Sequence, residues 1–239
     1  MHTETPSHTQ ARTTGLSVPT VAAIALFVGG LTALHIYLHY RAHAVFNPTQ
    51  IALAFFLVIN AMIAWWEIAL FVCQDQIRSE YDLIREPYRG RVMHRVAETF
   101  TRPVPLFRVL SFREWTTIWS TYSLFDPGYS DRRSYGYNID VGNGFTTLIP
   151  ATLFALGMTF ELMPARWLGI LGVIMFWQMY SGTSVYFYQF LNNGRQRGPT
   201  VRDILLFVGV SNLMWFVFPL WGLYTSVRLI LSGNYGVFL

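Results

Sequence analysis

Apolar residues are concentrated in five long stretches of the chain, and polar segments of unequal length separate them. The stretches cover about residues 18–40, 50–72, 144–163, 167–191 and 204–231. Each is close to the roughly 20 residues that a helix needs to cross the hydrocarbon core of a bilayer. The pattern predicts an all-α integral membrane protein: a five-transmembrane-helix bundle that forms a single domain over residues 18–239, behind a disordered polar tail over residues 1–17.

The longest polar segment, residues 73–143, separates the second predicted span from the third. It is rich in Arg, Asp, Glu, Pro and Tyr. Residues 77–95 mix apolar and charged positions as a helix lying on a membrane surface does. Residues 112–125 are aromatic, which is typical of the bilayer interface. We therefore predict a long loop with interfacial helices that forms a lid over one end of the bundle.

The composition supports the membrane assignment and excludes several kinds of cofactor and covalent chemistry. Of the 239 residues, 53% are apolar and 13% are charged, against roughly 25% charged in soluble domains. Cys73 is the single cysteine, which excludes a disulfide within the chain and a multi-thiolate metal site. Lysine is absent, which excludes a Schiff base with retinal or pyridoxal phosphate. We predict no cofactor and no nucleic-acid partner.

The arginines are distributed unequally between the two ends of the predicted bundle. Five spans place the N-terminus, the long loop and the connector 192–203 on one side of the membrane, here called side A; the opposite side is side B. Side A carries 14 arginines, and side B carries three, at Arg41, Arg166 and Arg228. Because positive residues accumulate in cytoplasmic loops, we expect side A to face the cytoplasm, in a bacterial inner membrane or in the endoplasmic reticulum of a eukaryote.

Polar residues within the predicted spans fall in the half of the membrane nearer side A. Glu67 lies about five residues, roughly 8 Å, from the side A end of the second span, and an ionisable residue there is a functional candidate by default. Alternatively, Glu67 pairs with a loop arginine and the uncharged residues join helices to one another. Those uncharged residues and their aromatic neighbour are Thr146, Thr147, Gln178, Tyr180, Tyr186, Asn212 and Trp215. Their convergence predicts a cavity that opens toward side A beneath the loop.

Two further patterns carry less information. His35, His39 and His43 follow i, i+4, i+8 spacing and share a helix face, and paired histidines can hold a metal. Membrane di-iron enzymes need several such histidine groups, which this chain lacks, so we predict no metal site. The sequence GNG (142–144) is interpreted as a junction between a loop and a helix.

Four short motifs occur in order along the chain. Trp119, Tyr122, Asp126 and Tyr129 have the spacing W-x-x-Y-x-x-x-D-x-x-Y. The other three are GFTT (144–147), QMYSGTSVYF (178–187) and SNLMWFVFP (211–219). Together they resemble the corresponding stretches of emopamil-binding protein, a sterol isomerase, and of its wider EXPERA superfamily. The likeness covers most of residues 50–231.

The resemblance implies a five-helix membrane bundle around a cavity for a flat polycyclic lipid. It also implies an isomerase that moves a ring double bond through a carbocation. Such chemistry requires a carboxylic acid in an apolar pocket, a base, and aromatic faces near the cation. By position, Glu67 matches the acidic residue of the family's second span, and Asn212 and Trp215 match its polar and aromatic cavity residues.

The chain departs from that family at two proton-handling positions. A family histidine is replaced by Ile63, and a third-span glutamate falls at Pro150. Asp126, Asp140 and Tyr180 are the candidates to substitute for them. The predicted catalytic residues are therefore Glu67, Asp126 and Asp140. The predicted ligand-binding residues are Trp119, Tyr122, Tyr129, Asn143, Thr146, Gln178, Tyr180, Tyr186, Asn212 and Trp215.

The residues leave more than one function open. The first is an enzyme that isomerises or cyclises a sterol-like or isoprenoid lipid by acid–base chemistry; residues 60–67, NAMIAWWE, also resemble a stretch of small membrane terpene cyclases. The second is a non-catalytic sterol- or lipid-binding or chaperone protein of the EXPERA type. A transporter or structural subunit is a third, and the lack of an inverted repeat disfavours the transporter. The predicted partners are a lipophilic polycyclic or isoprenoid molecule and membrane lipid. Formation of a homodimer is a further alternative that the sequence leaves open.

Overall fold

The computed structural model describes residues 16–194 and 200–239, except for the side chains of Phe207 and Ser211. In chain order its helices are α1 (Thr20–His43), α2 (Pro48–Val72), α3 (Gln74–Ile84), α4 (Val92–Thr101), α5 (Thr116–Tyr122), α6 (Tyr135–Phe160), α7 (Ala165–Asn192), α8 (Val201–Asp203) and α9 (Val210–Ser232). Five of them, α1, α2, α6, α7 and α9, are long and apolar enough to cross a membrane. The predicted all-α membrane bundle is confirmed. Most of the predicted disordered tail lies outside the described residues, as do Arg195 and Arg197.

The third membrane helix begins earlier than its hydrophobic pattern indicates. Helix α6 starts at Tyr135 rather than at about residue 144, because the Ser134 hydroxyl caps it by accepting a hydrogen bond from the Tyr137 amide at 3.1 Å. The long loop therefore ends at residue 134, and GNG (142–144) lies inside α6 rather than at a loop–helix junction. The predicted fifth span begins with a π-helical segment, Ile204–Gly209, that leads directly into α9.

Small residues bring the membrane helices together in two pairs. Helix α2 packs along α6, and α7 packs along α9, while α2 and α9 contact each other much less. A Cβ atom on Gly169 of α7 would lie 2.6 Å from the Ser226 carbonyl oxygen of α9. Close backbone approach of this kind is how membrane helices gain packing energy without a hydrophobic driving force between them. Between the two pairs, near side A, room remains for a cavity.

The loop between α2 and α6 is folded over the side A end of the bundle. Its strand β2 (Pro103–Pro105) pairs antiparallel with β1 (Ser17–Pro19), which immediately precedes α1. An ion pair of 2.8 Å joins Arg102 to the buried Glu114 within the loop. The Trp119 indole nitrogen of α5 donates a hydrogen bond of 2.6 Å to the Trp66 carbonyl of α2. These contacts make the loop an ordered lid.

Two of the three histidines of α1, His39 and His43, lie near side B and bind backbone groups. The ring Nε2 of His39 is 3.0 Å from the Phe238 carbonyl, and that of His43 is 2.9 Å from the Thr159 carbonyl. The two rings are 4.7 Å apart. They join α1 to the end of α6 and to the segment that follows α9. Both histidines are therefore explained by helix packing near side B.

Candidate functional site

A cavity of about 260 Å³ lies beneath the lid, between the two helix pairs. Its walls come from α2, α6, α7 and α9 of the bundle and from α4, α5 and the turn Pro127–Ser130 of the lid. Ten predicted site residues line it: Glu67, Trp119, Tyr122, Tyr129, Asp140, Asn143, Gln178, Tyr186, Asn212 and Trp215. The tertiary structure thus gathers residues that are far apart in sequence into one membrane-embedded space near side A.

Glu67 is the acidic residue of α2 in this cavity, and Asn143 of α6 holds it. Its side chain is only 4% exposed. The Asn143 side-chain amide donates to both carboxyl oxygens, at 3.0 Å to Oε1 and 2.8 Å to Oε2. Gly144, the next residue, explains these short distances because it has no side chain. A Cβ atom added there would lie 2.8 Å from the Glu67 Cβ and 2.9 Å from the Ala64 carbonyl oxygen. Gly144 therefore lets α6 approach α2 closely enough for Asn143 to reach Glu67.

Asp140 brings a second carboxyl group to the same cavity. It lies on α6 nearly one turn before Asn143, and it interacts electrostatically with Glu67. The Tyr129 hydroxyl of the lid hydrogen-bonds to it. Burial raises the pKa of the Tyr129 phenol, and the negative charge of Asp140 raises it further. Tyr129 is therefore neutral at physiological pH and can donate its proton to a hydrogen bond with the carboxylate.

Aromatic rings form the roof of the cavity. Trp119 stacks on Tyr129 with ring centroids 5.2 Å apart and an interplanar angle of 24°. Tyr122 meets Tyr129 edge-on at 4.8 Å, and Tyr186 of α7 lies 6.2 Å from Tyr129. Burial raises the pKa of Tyr122 as well, so it too is an uncharged phenol. The result is a largely apolar enclosure whose rings present π faces and edges to a ligand.

A chain of hydrogen bonds fixes the opposite wall. The Trp215 indole of α9 donates to Asn60 Oδ1 at 3.4 Å, and the Asn60 amide donates to the Thr147 hydroxyl at 3.3 Å. Thr147 in turn donates to the Asn143 carbonyl at 2.9 Å. Asn60 is fully buried and links α2 to both α6 and α9. It was missed as a site residue, although an asparagine inside an apolar span was the signal that could have identified it.

We predict that Asn60→Ala and Trp215→Phe are energetically coupled, because each removes one end of the same interhelical bond. Measured couplings of this kind in membrane bundles average about 0.6 kcal/mol. A double-mutant cycle on the free energy of unfolding in mixed detergent measures the coupling. The control pairs Asn60→Ala with Thr152→Ala, since the exposed Thr152 hydroxyl bonds to the Leu148 carbonyl of its own helix and should show no coupling. Additive effects for Asn60 and Trp215 would contradict the link.

Three predicted site residues lie outside the cavity wall. Asp126 is fully buried behind the roof, where it accepts hydrogen bonds from the Gly128 amide at 2.9 Å and from the Tyr186 hydroxyl at 3.2 Å. Thr146 faces outward and accepts a hydrogen bond from Gln178. Tyr180 packs against Trp177 and Phe216. These positions place Asp126 behind Tyr186 and leave Thr146 and Tyr180 outside the enclosed space.

Sequence reasoning did not foresee the apolar part of the lining. The apolar residues concerned are Ile63, Trp66, Phe100, Ile118, Ile139 and Met179, and Gly182 and Thr183 complete the lining. Apolar side chains in a membrane protein have no distinguishing signal before the fold is known. Within the described ranges, no three His, Cys, Asp or Glu side chains meet as the ligands of a metal ion would.

The chain matches no protein-family model, no curated protein and no solved structure. The fold and the cavity define the class of protein, a five-helix membrane protein with a lidded, carboxyl-containing aromatic cavity. A more specific function has to be inferred from the chemistry of that cavity.

Proposed function

We propose that the chain is a membrane enzyme of the emopamil-binding type that isomerises or cyclises a sterol-like or isoprenoid lipid through a carbocation. The observation that carries the proposal is the presence of two carboxyl groups, Glu67 and Asp140, in one aromatic cavity within the membrane. One carboxyl can give a proton to an alkene while the other removes one, which is the pairing that acid–base catalysis needs. Asp140 then takes the place of the proton-handling groups that Ile63 and Pro150 replace.

Glu67 is the proton donor in this scheme. Its side chain is more deeply buried than that of Asp140, and its hydrogen-bond partner is the neutral Asn143 amide rather than an arginine. Burying an unpaired charge is unfavourable, so the buried position suits a carboxylic acid. Asp140 lies closer to the lid beside the Tyr129 hydroxyl, where it suits the carboxylate that accepts a proton.

The reaction is balanced in protons. The Glu67 acid adds its proton to one alkene carbon, and the neighbouring carbon becomes a cation. The Asp140 carboxylate removes a proton from an adjacent C–H bond, and that electron pair forms the new double bond. In a cyclisation, an internal alkene attacks the cation before the proton leaves. Asp140 then gives its proton to water and Glu67 takes one from water before the next turnover; while the cation exists, the faces of Trp119 and Trp215 stabilise it.

The size of the cavity limits how the ligand is held. Small-molecule pockets usually measure roughly 300–1,000 Å³, and this one encloses about 260 Å³. The enclosed space therefore fits the reacting portion of a lipid, such as a ring or an isoprenoid end. The remainder of the molecule would extend between the helices toward the bilayer.

A second candidate function is lipid binding without turnover, as in a sterol-binding or chaperone protein of the EXPERA type. The observation that favours it is Ile63, which lines the cavity where the emopamil-binding family has a histidine. An apolar side chain there adds contact area for a lipid and takes no part in proton transfer.

Reaction in heavy water tests the proposal. The purified protein would be incubated in D₂O with a panel of sterols that carry a ring double bond and of linear isoprenoids. We expect a product that contains deuterium at a carbon position, because solvent deuterons exchange onto the Glu67 carboxyl before transfer. Native mass spectrometry on the same panel measures binding. Binding without deuterium incorporation would favour the second function, and the absence of both would remove both functions.

We further propose that side A is cytoplasmic, whether the membrane is a bacterial inner membrane or the endoplasmic reticulum, on the strength of the arginine bias. A reporter at the end of α9 tests this, since α9 ends on side B. Alkaline phosphatase fused there in a bacterial host should be active, and green fluorescent protein fused at the same point through the bacterial secretion pathway should be dark. The opposite result would reverse the orientation.

A further inference from the structure

The lid carries an exposed apolar surface beside the start of α1, here called the interface patch. It consists of Leu16, Leu106, Phe107 and Leu110, with Arg108 among them. The apolar members are 74%, 40%, 66% and 73% exposed, respectively. Apolar side chains this exposed within a few residues of one another usually mark a surface that contacts another apolar phase or molecule.

The backbone holds the interface patch close to the membrane. The Leu106 amide donates to the Leu16 carbonyl at 3.0 Å, and the Thr20 amide donates to the Arg102 carbonyl at 2.8 Å. Thr20 is the first residue of the membrane-spanning α1. Four extended residues reach at most about 14 Å, so Leu16 lies within that distance of the point where α1 enters the membrane.

The apolar surface continues from the lid onto α1. Val21 and Leu26 of α1 are 52% and 65% exposed, as expected of side chains that face lipid. The headgroup region of one leaflet is roughly 5–8 Å thick, the difference between half of the whole bilayer and half of its hydrocarbon core. A patch joined to the residues that immediately precede α1 is therefore within reach of the boundary between the polar and acyl layers.

The charges around the interface patch are basic. Residues 103–113 contain Arg108 and Arg113 and no acidic residue. The following acidic residue, Glu114, is paired with Arg102 at 2.8 Å. The Arg108 guanidinium lies over the Phe107 ring at 5.4 Å, so an apolar ring and a cation stand side by side on the surface. An apolar surface with arginines is the composition that binds an interface of anionic lipid.

We propose that the interface patch inserts into the headgroup–acyl boundary of an anionic phospholipid membrane on side A and anchors the lid to the bilayer. The apolar side chains enter the acyl layer, and Arg108 binds lipid phosphate. The bilayer then holds the lid at the interface patch, in addition to the pairing of β1 with β2 and the Trp119–Trp66 hydrogen bond over the cavity. This inference is independent of the reaction proposed above.

Site-directed spin labelling tests the insertion. Single cysteines would replace Phe107 and Leu110 in a Cys73→Ser background, and the protein would be placed in vesicles of phosphatidylcholine with phosphatidylglycerol. We expect labels at both positions to be several-fold more accessible to oxygen, relative to a water-soluble nickel chelate, than a label at Arg89→Cys. Arg89 is the matched control because its side chain is 83% exposed in the same lid, between α3 and α4.

The possible results distinguish a patch that lies in lipid from one that faces water or is covered by protein. A label at 107 that meets the nickel chelate as readily as the label at 89 would show that the patch faces water and would overturn the proposal. Shielding from both reagents would also overturn it, since the patch would then be covered by protein. In the Leu110→Cys protein, removing phosphatidylglycerol should lower the oxygen-to-nickel ratio, and Arg108→Gln should abolish that dependence. A ratio independent of lipid composition would refute the anionic preference.

Discussion

Replacing Glu67 with Gln should lower turnover by about 10²–10⁴-fold, the usual contribution of a positioned acid or base, and should leave the fold and lipid binding in place. Gln has the shape of a protonated Glu and keeps a carbonyl oxygen that can accept from the Asn143 amide. It cannot give up a proton to an alkene. The measurement is the rate of deuterium incorporation into the lipid, compared with lipid binding by native mass spectrometry.

Two further variants sharpen the result for Glu67. Glu161→Gln changes an exposed carboxyl at the side B end of α6 and should retain full turnover. Asp140→Asn should lose turnover to a similar degree, and the double variant with Glu67→Gln should lose little more, because the two carboxyls act in one proton transfer. Full activity in Glu67→Gln would refute its role as the acid. Loss of lipid binding together with turnover would assign Glu67 to binding instead.

Gly144→Ala should be a strongly disruptive single-methyl change at the contact between α2 and α6 beside the cavity. The added Cβ would lie 2.8 Å from the Glu67 Cβ, 2.9 Å from the Ala64 carbonyl oxygen and 3.1 Å from the Ile68 amide nitrogen. Two of these atoms belong to the α2 backbone and cannot rotate away, so the helices must separate. Overpacking of this kind typically costs about 1–3 kcal/mol, measurable as a lower free energy of unfolding in mixed detergent.

Gly142→Ala provides a matched control for Gly144→Ala. It adds the same methyl group to the same helix two residues earlier, where nothing lies within 4 Å of the new Cβ. Because alanine favours helix over glycine by about 1 kcal/mol, stability should be unchanged or raised. Separation of α2 and α6 should also weaken the Asn143–Glu67 hydrogen bonds, so turnover should fall in Gly144→Ala alone. Equal effects of the two variants would contradict the close approach of the helices.

The membrane bundle was predictable because the bilayer imposes its requirements locally. A span must be long and apolar wherever it occurs, and this requirement appears in the residues themselves. The start of α6 was not predictable in the same way, because its first turns carry Asn138, Asp140 and Asn143. In the sequence these polar residues look like loop. In the structure Asp140 and Asn143 face the cavity, and the Ser134 cap starts the helix before them.

The candidate site was predictable in its members more than in their roles. Polar residues in the half of the membrane nearer side A were a local signal, and most of them line the cavity. Asn143 was predicted to bind a ligand; in the structure it lines the cavity and also donates hydrogen bonds to Glu67. Asp126 was predicted to be catalytic, and it lies behind the roof on Tyr186 and the Gly128 amide. Partners such as these are separated by many residues, and sequence position alone does not state which groups meet.

The sequence by itself determined that this protein is an all-α membrane bundle with a long loop between its second and third spans, because hydrophobic length and pattern are properties of contiguous residues. It also predicted that polar residues of the spans gather in the half of the membrane nearer side A, and most of them line the cavity. Only the tertiary structure decided that Glu67 and Asp140 share one cavity, that Asn143 holds Glu67, and that the loop forms a roof of stacked aromatic rings. Those features depend on the distance between helices, which Gly144 sets through contact with a different part of the chain.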